Sequence, residues 1–165
     1  MAAADIVALL DALEQHGVTA WLDGGWGVDA LLEEQTREHD DLDLVNSVDD
    51  TPAIERVVAE AGYRYAEGPP TNPVYRDAIG RQVDLHPVSF TETGDGAYTL
   101  ATGETWLYPA RGFSGSGRVL ARTVRCLDAA AQVLCHSGYE LDDDDRRDLF
   151  ALRKRFGVEL RPELC

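Results

Sequence analysis

Positive charge is scarce in this sequence of 165 residues, which has a single lysine, Lys154, and 15 Lys and Arg residues against 30 Asp and Glu. The formal net charge of -15 at pH 7 argues against a nucleic-acid-binding surface, which would be basic. An acidic cleft would concentrate a cationic small molecule, although acidity can also serve only to keep a protein soluble. The composition therefore disfavours nucleic acid as a partner and leaves both explanations of the charge open.

Long apolar runs are also absent, so no segment predicts a membrane span. The first residues do not resemble a signal peptide, because Ala2–Leu13 is amphipathic and contains two aspartates. The three cysteines, Cys126, Cys135 and Cys165, are odd in number and lack metal-ligand spacing, which is typical of reduced thiols. We therefore expect a cytoplasmic protein that contacts no membrane.

A chain of this length can bury a hydrophobic core without disulfides or metals. Apolar periodicity predicts helices near 5–15, 25–34, 51–61, 128–136 and 141–156, and strands near 19–23, 41–45, 63–67, 74–79 and 81–88. A further hairpin is predicted over 118–127, with its turn at Arg122-Thr123. This order indicates an α/β (α+β) fold, a small mixed β-sheet flanked by helices, rather than a doubly wound dinucleotide fold. We expect a core at 1–127 and a C-terminal helical segment at 128–165 that packs on it within one compact domain.

Two aspartates with one residue between them, Asp41 and Asp43, begin the second predicted strand. Side chains alternate faces along a strand, so both carboxylates point to the same side. Neighbouring carboxylates repel each other unless a cation lies between them. Magnesium is the usual cation at such a pair, and it usually brings phosphates with it. The pair therefore indicates phosphoryl or nucleotidyl chemistry.

A third acid, Asp84, lies in a later predicted strand between Val83 and Leu85. Because these two apolar neighbours face the core, Asp84 must face the opposite side of the strand. A lone acid in a strand is usually exposed to solvent, and the acid pair upstream is what makes Asp84 a candidate. If its face is also the face of Asp41 and Asp43, three carboxylates meet.

Two glycines, Gly24 and Gly25, follow the first predicted strand and open the second helix. Backbone amides at a helix N-terminus bind phosphate, and glycine lets the phosphate approach, although Gly-Gly is also common in tight turns. Arg37 and His39 precede the acid pair on the same connecting segment. They would either contact triphosphate oxygens or pair with Glu38 or Asp40 in a surface loop.

The run of four aspartates at 142–145 is conspicuous, but acids at a helix N-terminus interact favourably with the helix dipole. A structural role is therefore favoured, and contact with a cationic acceptor is the alternative. Aromatic side chains in the glycine-rich segment 94–117 would stack on a bound sugar or base if they are not part of the core. Trp106 and Tyr108 are the candidates for such acceptor contacts.

Three segments carry a resemblance to a known family: Gly-Gly-Trp-Gly-Val-Asp at 24–29, Arg-Glu-His-Asp-Asp-Leu-Asp at 37–43 and Val-Asp-Leu-His at 83–86. Together they resemble the small antibiotic nucleotidyltransferases, which include the lincosamide nucleotidyltransferases and the aminoglycoside 2″-adenylyltransferase family, within the polymerase-beta-like superfamily. The segment 131–140 resembles the same group, so the similarity spans about 21–158. One departure is Glu33-Glu34, where family members often have glycine in the turn after the second helix.

The resemblance implies a polymerase-beta-like nucleotidyltransferase fold and Mg²⁺-dependent transfer of a nucleoside monophosphate from an NTP to a hydroxyl of a small cationic antibiotic, releasing pyrophosphate. It further implies that Asp41 and Asp43 bind two Mg²⁺ ions that bridge the triphosphate. Asp84 would be the third metal ligand and the base that takes the proton of the acceptor hydroxyl. Gly24 and Gly25 would cradle the phosphates.

Two other functions stay open. A nucleotidyltransferase of the toxin type would modify a protein or a tRNA, and the acidic charge disfavours tRNA. A non-catalytic nucleotide-binding module would not need a base, which the third acid supplies. We also expect a homodimer, because a second subunit would help to complete the acceptor site of so small an enzyme.

Overall fold

A computed structural model describes residues 1–100, 102–137 and 139–160. Its helices are Ala3–Gln15 (α1), Gly24–Leu32 (α2), Thr51–Glu60 (α3), Ala129–Cys135 (α4) and Asp143–Phe156 (α5). Its strands are Ala20–Asp23 (β1), Asp41–Ser47 (β2), Arg64–Glu67 (β3), Val74–Arg76 (β4), Gln82–Phe90 (β5), Gly96–Thr99 (β6), Thr105–Tyr108 (β7), Ser116–Val119 (β8) and Arg122–Arg125 (β9). Short 3-10 turns lie at Val48–Asp50 and Ala110–Ser114.

Seven strands form one mixed sheet in the order β1-β2-β5-β4-β3, with β6 pairing to the far end of β5 and β7 pairing to β6. β2 and β5 run parallel, and the other pairs in this sheet are antiparallel. β8 and β9 form a separate hairpin. This arrangement confirms the mixed sheet flanked by helices that the sequence predicts.

One face of the sheet carries the main core, and this sets the direction of the acids. Alternation along β2 turns Leu42 and Leu44 into that core, together with Val83 and Leu85 of β5. The apolar stripe of α1 packs against them through Ile6, Leu9, Leu10 and Leu13. The intervening side chains of β2 and β5 therefore point to the opposite face.

The C-terminal helices pack on α2, which connects β1 to the acid-bearing strand. Val28 of α2 lies in one buried cluster with Val133 of α4 and Leu149 and Leu152 of α5. Gly27 allows the close approach of α4, because a Cβ at this position would collide with the Gln132 side chain. The packing sets the start of α5 beside the segment that leads into β2.

The structure corrects one local expectation and shows two unusual backbone conformations. The hairpin turn at Arg122-Thr123 is wrong, since both residues lie in β9 and the turn is at Leu120-Ala121. Leu120 in this turn adopts a left-handed conformation, φ 54°, which is uncommon for leucine and therefore is not predicted from the residue type. Glu33 is also left-handed, φ 58°, at the end of α2, where glycine is the usual residue.

Among the described residues, no helix combines the length and the apolar character that a membrane crossing requires. Cys126 and Cys135 are free thiols, as expected, and Cys165 lies outside the described residues.

Candidate active site

A row of carboxylates crosses three neighbouring strands on the face away from the main core. Asp43 of β2 lies in register with Asp84 of β5 on one side and with Asp23 of β1 on the other. Residues directly opposite each other on paired strands share a face, and Asp41 shares it because it is two positions from Asp43. The structure thus brings Asp41, Asp43 and Asp84 to one face, as the sequence predicts.

Asp84 has an unusual environment for an aspartate. Burial, and then the negative charges of Asp43 and Asp41, raise its pKa to about 6, although Gln82 donates a hydrogen bond to its Oδ2 at 3.1 Å. Its Oδ1 is buried and has no hydrogen-bond partner among the described residues. Burial and the Asp43 charge also raise the pKa of Asp41. Without a cation, the carboxylates of the row repel one another, and a bound cation would relieve this repulsion.

Asp23 and His86 are site residues that the sequence reasoning missed. Asp23 is buried at the end of β1, and burial raises its pKa. His86 Nε2 lies 3.1 Å from Asp43 Oδ1. Burial opposes the imidazolium, but the contact with Asp43 and the charges of Asp23 and Asp84 outweigh it and raise the pKa of His86. The signal was present, because His86 follows Asp84 by two positions on the same face.

The donor chemistry of the row fits a divalent cation of the Mg²⁺ type. Within 1–100, 102–137 and 139–160, no three His, Cys, Asp or Glu side chains already converge closely enough to hold a metal ion. Mg²⁺ takes oxygen ligands, keeps several waters and rarely needs a cage made only of protein groups. Three carboxylates on one face, one of them with an unpartnered buried oxygen, meet that requirement.

The N-terminus of α2 lies directly beside the row. The Gly24 backbone N–H donates to Asp23 Oδ1 at 2.9 Å, which caps the helix. Gly24 is left-handed, φ 57°, and a Cβ on it would collide with the Asp43 carboxylate. A Cβ on Gly25 would overlap the His39 ring and lie 2.7 Å from Arg37 Nη2. Glycine at these two positions therefore lets the side chains of Asp43, His39 and Arg37 approach the start of α2, which a larger residue would block.

The side chains of Arg37 and His39 contact carboxylates other than those of Glu38 and Asp40, the partners that a surface loop would supply. Arg37 Nη2 donates to Asp148 Oδ2 at 3.0 Å, so its acid comes from α5 and not from a neighbour in the chain. His39 is 2% exposed, and its Nε2 lies 2.5 Å from Asp29 Oδ2. Both side chains lie close to Gly25, but Arg37 lines the open cleft, whereas His39 is buried and does not line it.

A cleft of about 1140 Å³ opens over this face of the sheet. Asp41 and Asp43 line it, and Asp84 stands beside Asp43 with one oxygen buried. Trp106 and Tyr108, on β7, also line it, and Trp106 is half-buried whereas Tyr108 is buried. The structure therefore brings the predicted metal, phosphate and acceptor residues to one cavity, apart from the buried His39 and from Asp84, which lies next to Asp43 but does not line the cavity.

The four-aspartate run has the structural role that the sequence favours, and it also reaches the cleft. Asp142 caps α5 by accepting hydrogen bonds from the backbone N–H groups of Asp144 and Asp145, both at 2.8 Å. The same three aspartates form an acidic wall of the cleft. His136 adds a contact to this wall, with its Nε2 3.5 Å from Asp145 Oδ1.

Comparisons with known proteins agree with this geometry. The family model described as aminoglycoside-2″-adenylyltransferase matches residues 5–152. A lincosamide resistance protein from Staphylococcus haemolyticus is 30% identical over 150 residues, which cover 90% of this chain and 92% of that protein. A 2″-aminoglycoside nucleotidyltransferase from Escherichia coli is 29% identical over 119 residues, which cover 72% of this chain and 63% of that protein.

A solved structure shows the same likeness in three dimensions. The crystal structure of the lincosamide antibiotic adenylyltransferase LnuA, lincomycin-bound, matches with a TM-score of 0.79 and 29% identity, covering 91% of this chain and 95% of that one. This match confirms the predicted nucleotidyltransferase fold.

Proposed function

Because the chain belongs to the aminoglycoside-2″-adenylyltransferase family and is a nucleotidyltransferase, we propose that it transfers a nucleoside monophosphate from an NTP to a hydroxyl of a lincosamide or an aminoglycoside. A bond forms between the acceptor oxygen and the α-phosphorus, the α–β phosphoanhydride bond breaks, and pyrophosphate leaves. One observation carries the proposal: Asp41, Asp43 and Asp84 share one face of the sheet beneath a cleft of about 1140 Å³.

Asp41, Asp43 and Asp84 would hold Mg²⁺, and we propose two ions. When bound, the metal neutralises charge on the attacking oxygen, the leaving oxygen and the triphosphate. The carboxylates supply oxygen donors at a place where they otherwise repel one another, which raises the pKa of Asp84 to about 6 through burial and the charges beside it. The metal proposal is thus supported by donor type, shared face and electrostatics.

Asp84 is the proposed base that accepts the proton of the acceptor hydroxyl. Its Oδ1 is buried and accepts no hydrogen bond among the described residues, so no donor of the described protein competes for it. A carboxylate close to bound cations stays ionised, so Asp84 would act as a base through its position more than through a raised pKa. His86 holds the neighbouring Asp43 through its 3.1 Å contact and so limits the movement of the row.

The triphosphate would lie at the N-terminus of α2. The backbone N–H groups and the helix dipole favour negative charge there, and glycine at positions 24 and 25 lets the Asp43 and Arg37 side chains come close to this end of the helix. Arg37 supplies a fixed positive charge beside Gly25, in the same cleft. His39 is buried next to Gly25 and supports this site through its contact with Asp29.

The acceptor would occupy the part of the cleft between β7 and α5. Trp106 and Tyr108 offer flat apolar surfaces for a sugar ring, and the acidic wall offers carboxylates for its amines. Lincosamides and aminoglycosides both combine hydroxyl groups with a basic amine, so both suit a wall of this charge. The size of the cavity also favours a small acceptor over a protein or a tRNA.

A product assay tests the proposal. The protein is incubated with Mg²⁺, each of the four NTPs and a panel of lincosamides and aminoglycosides, and products are followed by mass spectrometry and pyrophosphate release. We expect a mass gain of one nucleotidyl group on at least one antibiotic. Asp43→Asn should abolish it, whereas Asp49→Asn, which removes the same charge from an exposed turn, should retain it.

Two results would contradict the proposal. The first is the absence of product with every acceptor in the panel. The second is equal product from wild type and Asp43→Asn. Label from the NTP on proteins or tRNA, with none on antibiotics, would instead assign the toxin-type activity.

A further inference from the structure

The segment 36–39, which carries Arg37, is tied to α2 by one buried carboxylate. Asp29 is 2% exposed. Its Oδ1 accepts hydrogen bonds from the Thr36 backbone N–H at 3.0 Å and from the Thr36 hydroxyl at 2.6 Å. Its Oδ2 lies 2.5 Å from His39 Nε2. One side chain therefore holds the residues on either side of Arg37.

A second buried carboxylate holds the guanidinium itself. Asp148 of α5 is 3% exposed, and its Oδ2 accepts the hydrogen bond from Arg37 Nη2 at 3.0 Å. Burial raises the pKa of Asp148, and the Arg37 charge acts against that rise. A buried carboxylate of this kind is stable only with its partner in place, since removing either member leaves an uncompensated charge.

The guanidinium that these contacts fix stands where the phosphates are proposed to bind. Arg37 Nη2 would lie 2.7 Å from a Cβ on Gly25, the second residue of α2, so it stands beside the first turn of this helix, and both residues line the cleft. Arg37 Nε is buried and has no hydrogen-bond partner among the described residues. An arginine side chain has many rotamers, and holding it in one of them before the ligand arrives lowers the entropic cost of binding.

We propose that Asp29 and Asp148 are positioning residues for Arg37. Asp29 fixes the backbone of 36–39, and Asp148 fixes the direction of the guanidinium. Both would act through Arg37, although Asp148 also lines the cleft. The inference rests on the proposed function, since it assumes that Arg37 meets the triphosphate. It makes α5 a part of the nucleotide site as well as of the acceptor wall.

A double-mutant cycle tests the proposal through MgATP binding, measured by calorimetry on the full chain. The proteins are wild type, Asp148→Asn, Arg37→Gln, the double variant, and Asp143→Asn as a control with the same charge change on an exposed part of α5. We expect Asp148→Asn to weaken binding about tenfold or more, because small displacements of a positioning group carry costs of this order. In the Arg37→Gln background the same change should have no further effect, since residues that act through one group are not additive.

A second arm tests Asp29 without disturbing a buried charge. Thr36 is exposed, so Thr36→Val removes one hydrogen bond to Asp29 and should leave the fold intact. We expect weaker MgATP binding in this variant, again only when Arg37 is present. The KM for the antibiotic should stay unchanged in both arms, whereas general destabilisation would move both KM values.

The outcomes separate this inference from the proposed function. If the wild-type protein binds no NTP, the proposed function and the positioning role of Asp29 and Asp148 both fail. If wild type binds MgATP and Asp148→Asn and Thr36→Val bind it equally well, only the positioning role fails. It also fails if Asp148→Asn weakens binding by the same factor with and without Arg37. If Asp148→Asn does not fold, Thr36→Val and Asp148→Glu, which retains the charge, decide the question by the same cycle.

Discussion

Asp84 should lower the stability of the metal-free protein, so removing its charge should stabilise the fold while abolishing activity. Its pKa rises from 3.8 to about 6 through burial and the charges of Asp43 and Asp41. At about 1.4 kcal/mol per pKa unit, this shift means that ionised Asp84 lowers the free energy of unfolding by at most about 3 kcal/mol. Because the side chain is only half-buried, screening by water reduces the expected value to about 1 kcal/mol. In a chain of this size, that corresponds to a change in Tm of about 2–4 °C.

The sign of the effect sets its pH dependence. Below a pH of about 4, Asp84 is protonated in both the folded and the unfolded chain, and it has no differential effect. Between about 4 and 6 the unfolded chain ionises first, so the folded state loses relative stability as the pH rises. Above about 6 both forms are ionised, and the whole penalty is present. The gain from Asp84→Asn should therefore appear above pH 6 and disappear towards pH 4.

Thermal unfolding in EDTA measures this directly. Wild type, Asp84→Asn and Asp49→Asn, the control for one lost charge, are melted at several pH values between about 4.5 and 7.5. Excess Mg²⁺ should then raise the Tm of wild type and have much less effect on Asp84→Asn, since a ligand stabilises only the form that binds it. A difference between wild type and Asp84→Asn that does not vary with pH would refute the reasoning, as would a less stable Asp84→Asn at pH 7.5.

Three further substitutions have defined expectations. Gly24→Ala should lower kcat/KM about a hundredfold, because a Cβ collides with Asp43, whereas Gly17→Ala, which is also left-handed but meets no atom within 4 Å, should affect stability alone. His86→Asn should lower kcat/KM about tenfold or more through a looser Asp43, and assays across Mg²⁺ concentrations should show a raised requirement for the metal. Trp106→Ala should raise the KM of the antibiotic but not that of the NTP in steady-state assays; equal changes in both would contradict its place in the acceptor site.

The acid row was predictable because the rules behind it are local. Period-2 alternation places Asp41 and Asp43 on one face, and the apolar neighbours of Asp84 turn it outward. The same rule, applied two residues further, would have found His86. Asp23 was harder to find, because a single acid before Gly-Gly reads as a helix cap, which it also is.

The partners of Arg37 and His39 could not be read from the sequence. Arg37 pairs with Asp148, which is 111 positions away, and no spacing rule reaches that distance. The pairing depends on how α5 packs against α2, which is decided by side-chain fit in their shared apolar cluster. The left-handed Leu120 was missed for a different reason: it lies in the short turn between β8 and β9, and glycine, not leucine, is the residue that usually indicates this backbone conformation.

The central claim is that the carboxylate row catalyses attack at the α-phosphorus. The most direct test uses NTP labelled separately at the α- and γ-phosphorus, with Mg²⁺ and the antibiotic that serves as acceptor. We predict that the α-label appears on the antibiotic and the γ-label in pyrophosphate, and that Asp43→Asn yields neither product. Transfer of the γ-label to the antibiotic, or undiminished α-label transfer by Asp43→Asn, would contradict the account.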